Sequence, residues 1–194
     1  MRYVLFGGMF DPPHTGHMSA AREAARQLNP DKVIWIPSAN PPHREKAVIP
    51  ARERYEILRE WASNHPGHDV SPVEIEKPSP GYTLDTLSYF KNIHPDAEYF
   101  ILIGSDQAAS FFKWRNWRKI IEHAGLCVAD RPGGGELPPG ATARAVYLDN
   151  PPLDISSTEI RKKIREGGDI KGLVDPEIHS ILLRRGILSK KTGQ

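Results

Sequence analysis

The stretch Gly7-Gly8-Met9-Phe10-Asp11-Pro12-Pro13-His14-Thr15-Gly16-His17 follows an apolar run at residues 2–6 and leads into an alanine-rich amphipathic segment. This order predicts a strand, a glycine turn and a helix that begins near Thr15. Glycines let a backbone approach an oxyanion closely, and a helix N-terminus presents unpaired N–H groups at the positive end of the helix dipole. The stretch therefore predicts a phosphate-binding site.

Two histidines add side-chain donors to this predicted site. His14 and His17 share one face if the helix has begun by His14, because residues three apart are neighbours on a helix. Imidazole N–H groups can donate to phosphate oxygens near neutral pH. The alternative is a loop histidine beside a partly buried helical one, and the combination of glycines, a rigid Asp-Pro-Pro turn and paired histidines favours the phosphate site.

Charge and cysteine usage exclude some classes of protein. The chain has 194 residues, a length that suits one domain with a sizeable core. Its formal net charge of +2 predicts neither a nucleic-acid-binding nor a membrane-binding surface. The single cysteine, Cys127, lies in an apolar run and is expected in the core. A lone cysteine fits a reducing compartment, and no apolar run is long enough for a membrane span or a signal peptide, so we expect a cytoplasmic protein.

Apolar runs rich in β-forming residues alternate with helical patterns along the chain. The predicted strands are residues 2–6, 32–36, 69–73, 98–103, 126–129 and 145–148, and the predicted helices are 16–28, 51–63, 84–92 and 117–123. This alternation predicts an α/β fold with a doubly wound, Rossmann-like parallel sheet and helices on both faces. In such sheets ligands bind beyond the carboxyl ends of the strands. The opening stretch and Gly104-Ser105-Asp106 both belong to that edge.

The last forty residues predict a small C-terminal helical extension. Ser156 and Glu159 have capping-box spacing at the start of a helix over 157–166. Asp175-Pro176 predicts a second helix start, with Gly186 as its end. We expect residues 1–188 to form one domain and residues 189–194 a flexible tail.

A glycine- and proline-rich stretch, residues 131–142, predicts a mobile surface loop. It serves either as a linker or as a segment that closes over substrate. The dinucleotide fingerprint and the Walker P-loop are both absent from the sequence, so the predicted phosphate site belongs to another type.

Two signatures carry a family resemblance. Residues 8–17 resemble the HxGH motif of the nucleotidylyltransferase superfamily, and Ile155-Ser156-Ser157-Thr158-Glu159-Ile160-Arg161 resembles its ISSTxxR motif. Within the superfamily the chain is most similar to bacterial nicotinate-nucleotide adenylyltransferases. Shorter matches are Asn40-Pro41-Pro42-His43-Arg44, residues 81–87, Ile103-Gly104-Ser105-Asp106, Lys113-Trp114 and Arg131-Pro132. The resemblance covers nearly the whole chain.

The resemblance implies transfer of the adenylyl group of ATP to nicotinate mononucleotide, with release of pyrophosphate, in NAD biosynthesis. It also implies Mg²⁺, bound through the substrate phosphates and not in a protein metal site. No covalent intermediate is needed, because the mononucleotide phosphate is itself a nucleophile. Oligomeric state stays open, and a homo-oligomer is one of the states allowed.

The implied residues fall into three groups, of which the first is contained in the second. The catalytic residues are His14, His17 and Arg161, which would hold the ATP phosphates and stabilise developing charge. The implied ATP-binding residues are Gly7, Gly8, Phe10, His14, Gly16, His17, Gly104, Asp106, Ile155, Ser156, Ser157, Thr158 and Arg161. The implied mononucleotide-binding residues are Met9, Asn40, His43, Arg44, Thr83, Trp114, Arg115 and Arg131.

Individual assignments keep their alternatives. Arg44 and Arg131 are either clamps on the mononucleotide phosphate or plain surface arginines. Trp114 either stacks on the pyridine ring or packs in the core or a lid. Thr83, with backbone N–H groups at a helix start, is suited to the nicotinate carboxylate. Asp106 is suited to accept a hydrogen bond from a ribose hydroxyl, its alternative role is to cap a helix, and the two roles are compatible.

Two positions depart from the family pattern. Met9 stands where the family often has a hydroxyl residue, so a phosphate contact there would come from the backbone. Arg115 stands where a tyrosine is common, and Trp117 is the candidate replacement for that aromatic wall.

Rival functions are a phosphopantetheine adenylyltransferase, an enzyme specific for nicotinamide mononucleotide, and a nucleotide sensor without turnover. His14 argues against the phosphopantetheine enzymes, which carry threonine at that position, and intact His14, His17 and Arg161 argue against a sensor.

Overall fold

The sheet is parallel throughout and places its first strand near the centre. A computed structural model describes residues 1–39, 47–76, 81–130, 133–151 and 153–188. The strands are β1 (Arg2–Gly8), β2 (Lys32–Pro37), β3 (His68–Val70), β4 (Glu98–Gly104), β5 (Gly125–Ala129) and β6 (Ala145–Tyr147). Their order across the sheet is β3-β2-β1-β4-β5-β6, and every neighbouring pair is parallel. The strand order reverses between β1 and β4, which is where doubly wound sheets bind ligands.

Helices cover both faces of the sheet, which confirms the predicted fold class. They are α1 (Thr15–Leu28), α2 (Ala51–Ser63), α3 (Val73–Glu76), α4 (Thr83–Ile93), α5 (Ser105–Ala108), α6 (Trp117–His123), α7 (Ser157–Arg165) and α8 (Pro176–Arg184), with a 3₁₀ turn at Phe111–Lys113. Successive strand residues point to opposite faces. Val4 accordingly packs in a core beneath α1, α2, α7 and α8, whereas Leu5 packs in a second core beneath α4 and α6.

The C-terminal helices are part of the first core. Ile160 of α7 and Ile178, Ile181 and Leu182 of α8 are fully buried in it. The start of α8 follows the prediction, because Asp175 Oδ1 accepts the N–H of Glu177 at 3.0 Å. This arrangement brings the N-terminus of α7 to the same edge of the sheet as the N-terminus of α1.

Strand boundaries differ from the prediction by more than one residue at two places. The strand predicted over 69–73 ends at Val70, because Pro72 has no N–H to donate and its carbonyl accepts the N–H groups of Ile75 and Glu76, which begins α3. The first strand runs two residues further than predicted, so Gly7 and Gly8 pair with Ile36 and Pro37 of β2. The glycines therefore end the strand, and the turn lies after them.

The described part of the predicted loop, residues 133–142, is anchored to the body of the protein. Leu137 and Ala141 are buried in the second core, and Gly135 donates its N–H to the carbonyl of Ser105 at 3.1 Å. A segment that served only as a linker would not need these contacts with the body of the protein. Across the described segments, none of the helices has both the length and the apolarity to span a bilayer.

Candidate active site

The larger of two adjoining cavities lies at the carboxyl ends of β1, β4 and β5. Its volume is about 390 Å³. It is bordered by the starts of α1, α5 and α7, so three helix N-termini converge on it. The lining comprises Phe6, Gly7, Gly8, Met9, Phe10, His14, Gly16, His17, Ala20, Leu102, Ile103, Gly104, Asp106, Gln107, Ala129, Asp130, Asn150, Pro151, Leu153, Ser156, Ser157, Thr158 and Arg161.

The two glycines at the end of β1 differ in what a side chain at each position would contact. A Cβ on Gly8 would lie 2.9 Å from Cζ of Phe10, whose ring folds back over the strand end. A Cβ on Gly7 would meet no atom within 4 Å, and Gly7 lines the cavity. Gly8 therefore makes room for protein, whereas Gly7 leaves room for a ligand. Phe10 itself takes a positive φ of 50° in the turn that follows.

The two histidines have a specific mutual arrangement that their spacing alone does not predict. His14 is the N-cap of α1 and only 1% exposed, and His17 lies in the first turn. Their rings stack with centroids 3.6 Å apart. His17 Nδ1 accepts the backbone N–H of His14 at 3.2 Å, so in the neutral imidazole the proton lies on Nε2, where it can be donated. The N–H of Thr15 is taken by the carbonyl of Leu173.

Arg161 reaches the same cavity from α7. Ser156 is the N-cap of that helix, and its Oγ accepts the N–H of Glu159 at 3.1 Å, which forms one half of the predicted capping box. Arg161 is 7% exposed and donates from Nη2 to Thr158 Oγ1 at 2.9 Å. The structure thus brings His14, His17 and Arg161 to one cavity. Ile155 instead packs against the first core and is outside the lining, because its side chain is apolar and its neighbour Ser156 starts the helix.

The smaller cavity, of about 170 Å³, adjoins the larger one. Predicted mononucleotide contacts Met9, Thr83 and Trp114 are among its lining residues. The full lining comprises Leu5, Gly7, Gly8, Met9, Ile36, Ser38, Glu74, Gly81, Thr83, Thr86, Ile101, Leu102, Ile103, Gln107 and Trp114. Six of these residues, Gly7, Gly8, Met9, Leu102, Ile103 and Gln107, line both cavities. The carboxyl ends of β1 and β4 are therefore a shared wall.

Glu74 is the one ionisable side chain in the described lining of the smaller cavity. It is buried, and its Oε1 accepts the hydroxyl of Thr86 at 2.7 Å. Burial raises the pKa of the Glu74 carboxyl, and the hydrogen bond from Thr86 opposes part of that rise. The net rise shifts the carboxyl towards its neutral form.

Two predicted residues lie elsewhere than expected, and a third keeps only one of its two predicted roles. Arg115 is exposed, and its guanidinium stands 4.7 Å from the centroid of the Tyr82 ring, outside the lining of either cavity. Trp117 packs edge-on against Phe111 and forms no wall of the smaller cavity. Asp106 does line the larger cavity, but the N-cap of α5 is Gly104, so the capping alternative for Asp106 is wrong.

Four predicted mononucleotide contacts, Asn40, His43, Arg44 and Arg131, lie outside the described residues. Their roles stay predictions that rest on the family motifs alone.

Sequence reasoning missed two buried charged residues beside the site. Asp11 and Arg54 are both 0% exposed. Arg54 donates to the carbonyls of Met9, Ser38, Ala39 and Ile49. Burial lowers the pKa of Arg54, and the nearby Asp11 carboxylate opposes this shift. The burial of Arg54 could have been inferred from helix periodicity, because Arg54 shares a face with the buried Ile57, Leu58 and Trp61.

A third missed feature is an amide pairing between the ends of β5 and β6. Asn150 accepts the N–H of Asp130 at 3.0 Å and donates to the carbonyl of Asp130 at 3.0 Å. Both residues line the larger cavity. A single buried asparagine in a loop gives no periodic signal, so the sequence alone offered no way to find it.

Comparison with known proteins agrees with the two signatures. The profile of the cytidylyltransferase-like family matches residues 5–163. A probable nicotinate-nucleotide adenylyltransferase of Clostridium tetani is 35% identical, over 95% of this chain and 97% of the relative. A relative of the same name from Thermus thermophilus is 36% identical, over 96% of this chain and 99% of the relative.

The fold also matches a solved structure. The Plasmodium falciparum nicotinic acid mononucleotide adenylyltransferase complexed with NaAD aligns with a TM-score of 0.76 at 18% identity, over 95% of this chain and 96% of that one. That likeness concerns the fold, whereas the sequence relatives and the family profile settle the family. The chain belongs to the nicotinate-nucleotide adenylyltransferase family, within the cytidylyltransferase-like proteins.

Proposed function

We propose that this protein transfers the adenylyl group of ATP to nicotinate mononucleotide, forming nicotinate adenine dinucleotide and pyrophosphate. One observation carries the proposal: a polar cavity with histidine and arginine donors shares a wall with a smaller, more apolar cavity. Two nucleotides bound in these cavities would meet at the carboxyl ends of β1 and β4. The names of the full-length relatives support the choice of substrates.

The reaction is a displacement at phosphorus. An oxygen of the mononucleotide phosphate attacks the α-phosphorus of ATP, the bond from that phosphorus to the β-phosphate oxygen breaks, and pyrophosphate leaves. The attacking oxygen is already an anion, so no base is needed to remove a proton from it. The task of the protein is to align the two phosphates and neutralise charge.

The donors of the larger cavity suit this task. His17 Nε2–H and the Arg161 guanidinium supply hydrogen bonds to oxygens that gain charge as the α–β bond breaks. His14, stacked against His17, fixes the ring of its neighbour. The N-terminus of α7 adds backbone N–H groups that cost no reorganisation during the reaction. We assign the ATP phosphates to this cavity.

The pyridine ring of the mononucleotide fits the smaller cavity. Trp114 offers a flat face there, and Thr83 with the start of α4 offers donors for the nicotinate carboxylate. Burial raises the pKa of Glu74, and this shift towards the neutral form lessens the repulsion of the nicotinate anion by its carboxyl. Arg44 and Arg131 are proposed to bind the mononucleotide phosphate, as their place in the family motifs suggests.

We propose that Mg²⁺ is bound through oxygens of the ATP phosphates. Asp106 and Asp130 are among the residues that line the same cavity, and carboxylate oxygens are ligands that Mg²⁺ accepts directly or through water. When bound, the ion would neutralise charge on the departing pyrophosphate.

A cytoplasmic location is consistent with the buried free thiol of Cys127, whose pKa is raised by burial to about 12.

The test is a comparison of acceptors. The protein is incubated with ATP, Mg²⁺ and, separately, nicotinate mononucleotide, nicotinamide mononucleotide or phosphopantetheine, and pyrophosphate release is measured. We expect release with nicotinate mononucleotide, and slower release with the amide because its N–H₂ would face N–H donors. The control is the Arg161→Met variant under the same conditions. Absence of pyrophosphate with nicotinate mononucleotide would refute the proposed function.

A further inference from the structure

Asp11 is a buried carboxylate of the first signature. It is 0% exposed and lies outside the lining of both cavities. Its Oδ2 accepts the N–H of Val48 at 2.8 Å, and its Oδ1 accepts the N–H of Ile49 at 2.9 Å. Both oxygens are therefore held by backbone donors from the segment that precedes α2, and the carboxylate has a fixed orientation.

This carboxylate faces the cation of the second signature. Arg161 Nε lies 4.0 Å from Asp11 Oδ2, and the Arg161 side chain is only 9% exposed. On its other side the guanidinium donates to Thr158 Oγ1 at 2.9 Å. Arg161 is thus placed between a hydroxyl of its own helix and an anion from the turn after β1. Charge pairs buried from water are screened less than exposed ones, so the attraction between the Asp11 carboxylate and this guanidinium is only weakly screened.

Arg54 fixes the position of Asp11 through hydrogen bonds to the backbone of the neighbouring segments. Its guanidinium donates to the carbonyl of Met9, two residues before Asp11, and its Nε donates to the carbonyl of Ile49 at 3.0 Å. The turn that carries Asp11 and the segment that donates to it are therefore bound to one side chain. A fork of donors fixed in a plane can do this where a single ammonium could not.

We propose that Asp11 is a positioning residue that acts through Arg161, holding its guanidinium at the larger cavity in the orientation that the transferring phosphate requires. This inference rests on the proposed function, in which Arg161 binds the ATP phosphates. Oriented donors contribute most to the transition state when a supporting contact fixes them beforehand. The pair of Asp11 and Arg161 also links the first signature to the second, because each signature supplies one of the two residues.

The test is a double-mutant cycle on full-length protein with Asp11→Asn, Arg161→Met and the double variant. Asparagine keeps the size and an acceptor oxygen but removes the charge. Two quantities are measured for each variant: kcat with ATP and nicotinate mononucleotide, and the dissociation constant of a non-hydrolysable ATP analogue by calorimetry. Asp31→Asn is the matched control, because Asp31 accepts the N–H of Arg2 far from both cavities.

We expect Asp11→Asn to lower kcat about 10- to 100-fold, the range seen when a supporting contact to a functional group is lost. In the Arg161→Met background the same change should alter kcat and analogue affinity by less than about threefold, since its target is gone. The KM for the mononucleotide should stay within about threefold in all variants. Equal effects of Asp11→Asn in both backgrounds would overturn the proposal and leave Asp11 as an anchor of Val48 and Ile49 only.

A second measurement does not depend on the folding of a variant at position 11. In ¹⁵N-arginine-labelled wild-type protein, the Nε–H signal of Arg161 is identified by its loss in Arg161→Met. We expect slow exchange with water and restricted side-chain motion before any ligand is added, and a freely rotating guanidinium would contradict the proposal. If the wild type binds the ATP analogue but shows no turnover, the proposed function is refuted. The role of Asp11 is then still decided by the double-mutant cycle on the dissociation constant of the analogue. A wild type that neither binds nor turns over would contradict both.

Discussion

The two cavities at the end of the sheet are built from different chemistry. The larger one has the histidine pair, Arg161 and the N-termini of two long helices, α1 and α7. The smaller one is lined by aliphatic strand residues, Trp114 and uncharged polar side chains, and in its described lining Glu74 alone can ionise. Their shared wall is the carboxyl end of β1 and β4.

This difference separates two tasks that the reaction combines. Phosphate groups carry charge that changes during the reaction, so fixed donors near them act on the rate. An aromatic ring keeps its charge distribution throughout, so contacts with it act on binding in the ground state and the transition state alike. We therefore expect substitutions in the larger cavity to affect kcat and substitutions in the smaller cavity to affect KM.

The largest effect is expected for His17→Ala. Loss of the Nε2–H donor should lower kcat by about 10²- to 10³-fold, or about 3–4 kcal/mol, as for other donors aimed at developing charge. The mononucleotide KM should change little, and steady-state kinetics checks both quantities. His123→Ala on α6 is the control, because His123 lies outside both cavities. A near-normal kcat in His17→Ala would remove this side chain from the mechanism.

The shared wall gives a sharper comparison, because its glycines have different surroundings. Gly8→Ala should lower the free energy of unfolding by about 1–3 kcal/mol, since the new methyl group would press on the Phe10 ring. Gly7→Ala should leave the free energy of unfolding within about 0.5 kcal/mol and weaken substrate binding, because its methyl group would enter ligand space. Urea unfolding and KM values measure the two effects. Equal loss of stability in both variants would contradict this account.

In the smaller cavity, Trp114→Ala should raise the KM for nicotinate mononucleotide about tenfold, the scale of one lost aromatic stack of about 1–2 kcal/mol. The kcat should fall by less than the KM rises. Trp117→Ala is the matched control, since Trp117 packs on Phe111 away from the cavity. An unchanged KM in Trp114→Ala would show that this tryptophan only packs the core.

The smallest effect concerns Glu74 and pH. An unfolded glutamate ionises near its ordinary pKa of 4.5, whereas burial raises the pKa of Glu74 in the folded protein. Between those two values the folded state binds more protons, so its stability falls as pH rises through this window. Glu74→Gln should remove that fall and retain an acceptor for Thr86. Urea midpoints of both proteins from about pH 4 to about pH 8 test this, and parallel profiles would contradict it.

Much of the fold was predictable because its signals are local and repeated. Alternating strand and helix patterns predicted the parallel sheet with helices on both faces, and caps such as Asp175-Pro176 marked helix starts. Prediction failed where a single residue outweighed a pattern. Pro72 ended the third strand early, and Gly7 and Gly8 extended the first strand although glycines in sequence suggested a turn.

The candidate site was predictable where two motifs each supplied residues close in sequence. Their placement in one cavity follows from the parallel sheet, which gathers strand ends and helix starts at one edge. Contacts between distant segments were not predictable. Nothing local shows that Asp11 meets Val48 and Arg161, or that Arg115 would turn to the ring of Tyr82 instead of the cavity.

The outer strands of the sheet, β3 and β6, have only three residues each. A strand from another molecule that paired with either edge would gain few main-chain hydrogen bonds, so the sheet offers a poor template for self-association through its edges. The long strands that hold the site, β1 and β4, are at the centre and have no free edge. The protein can thus keep a strongly apolar sheet beneath its site with little risk of edge-to-edge aggregation.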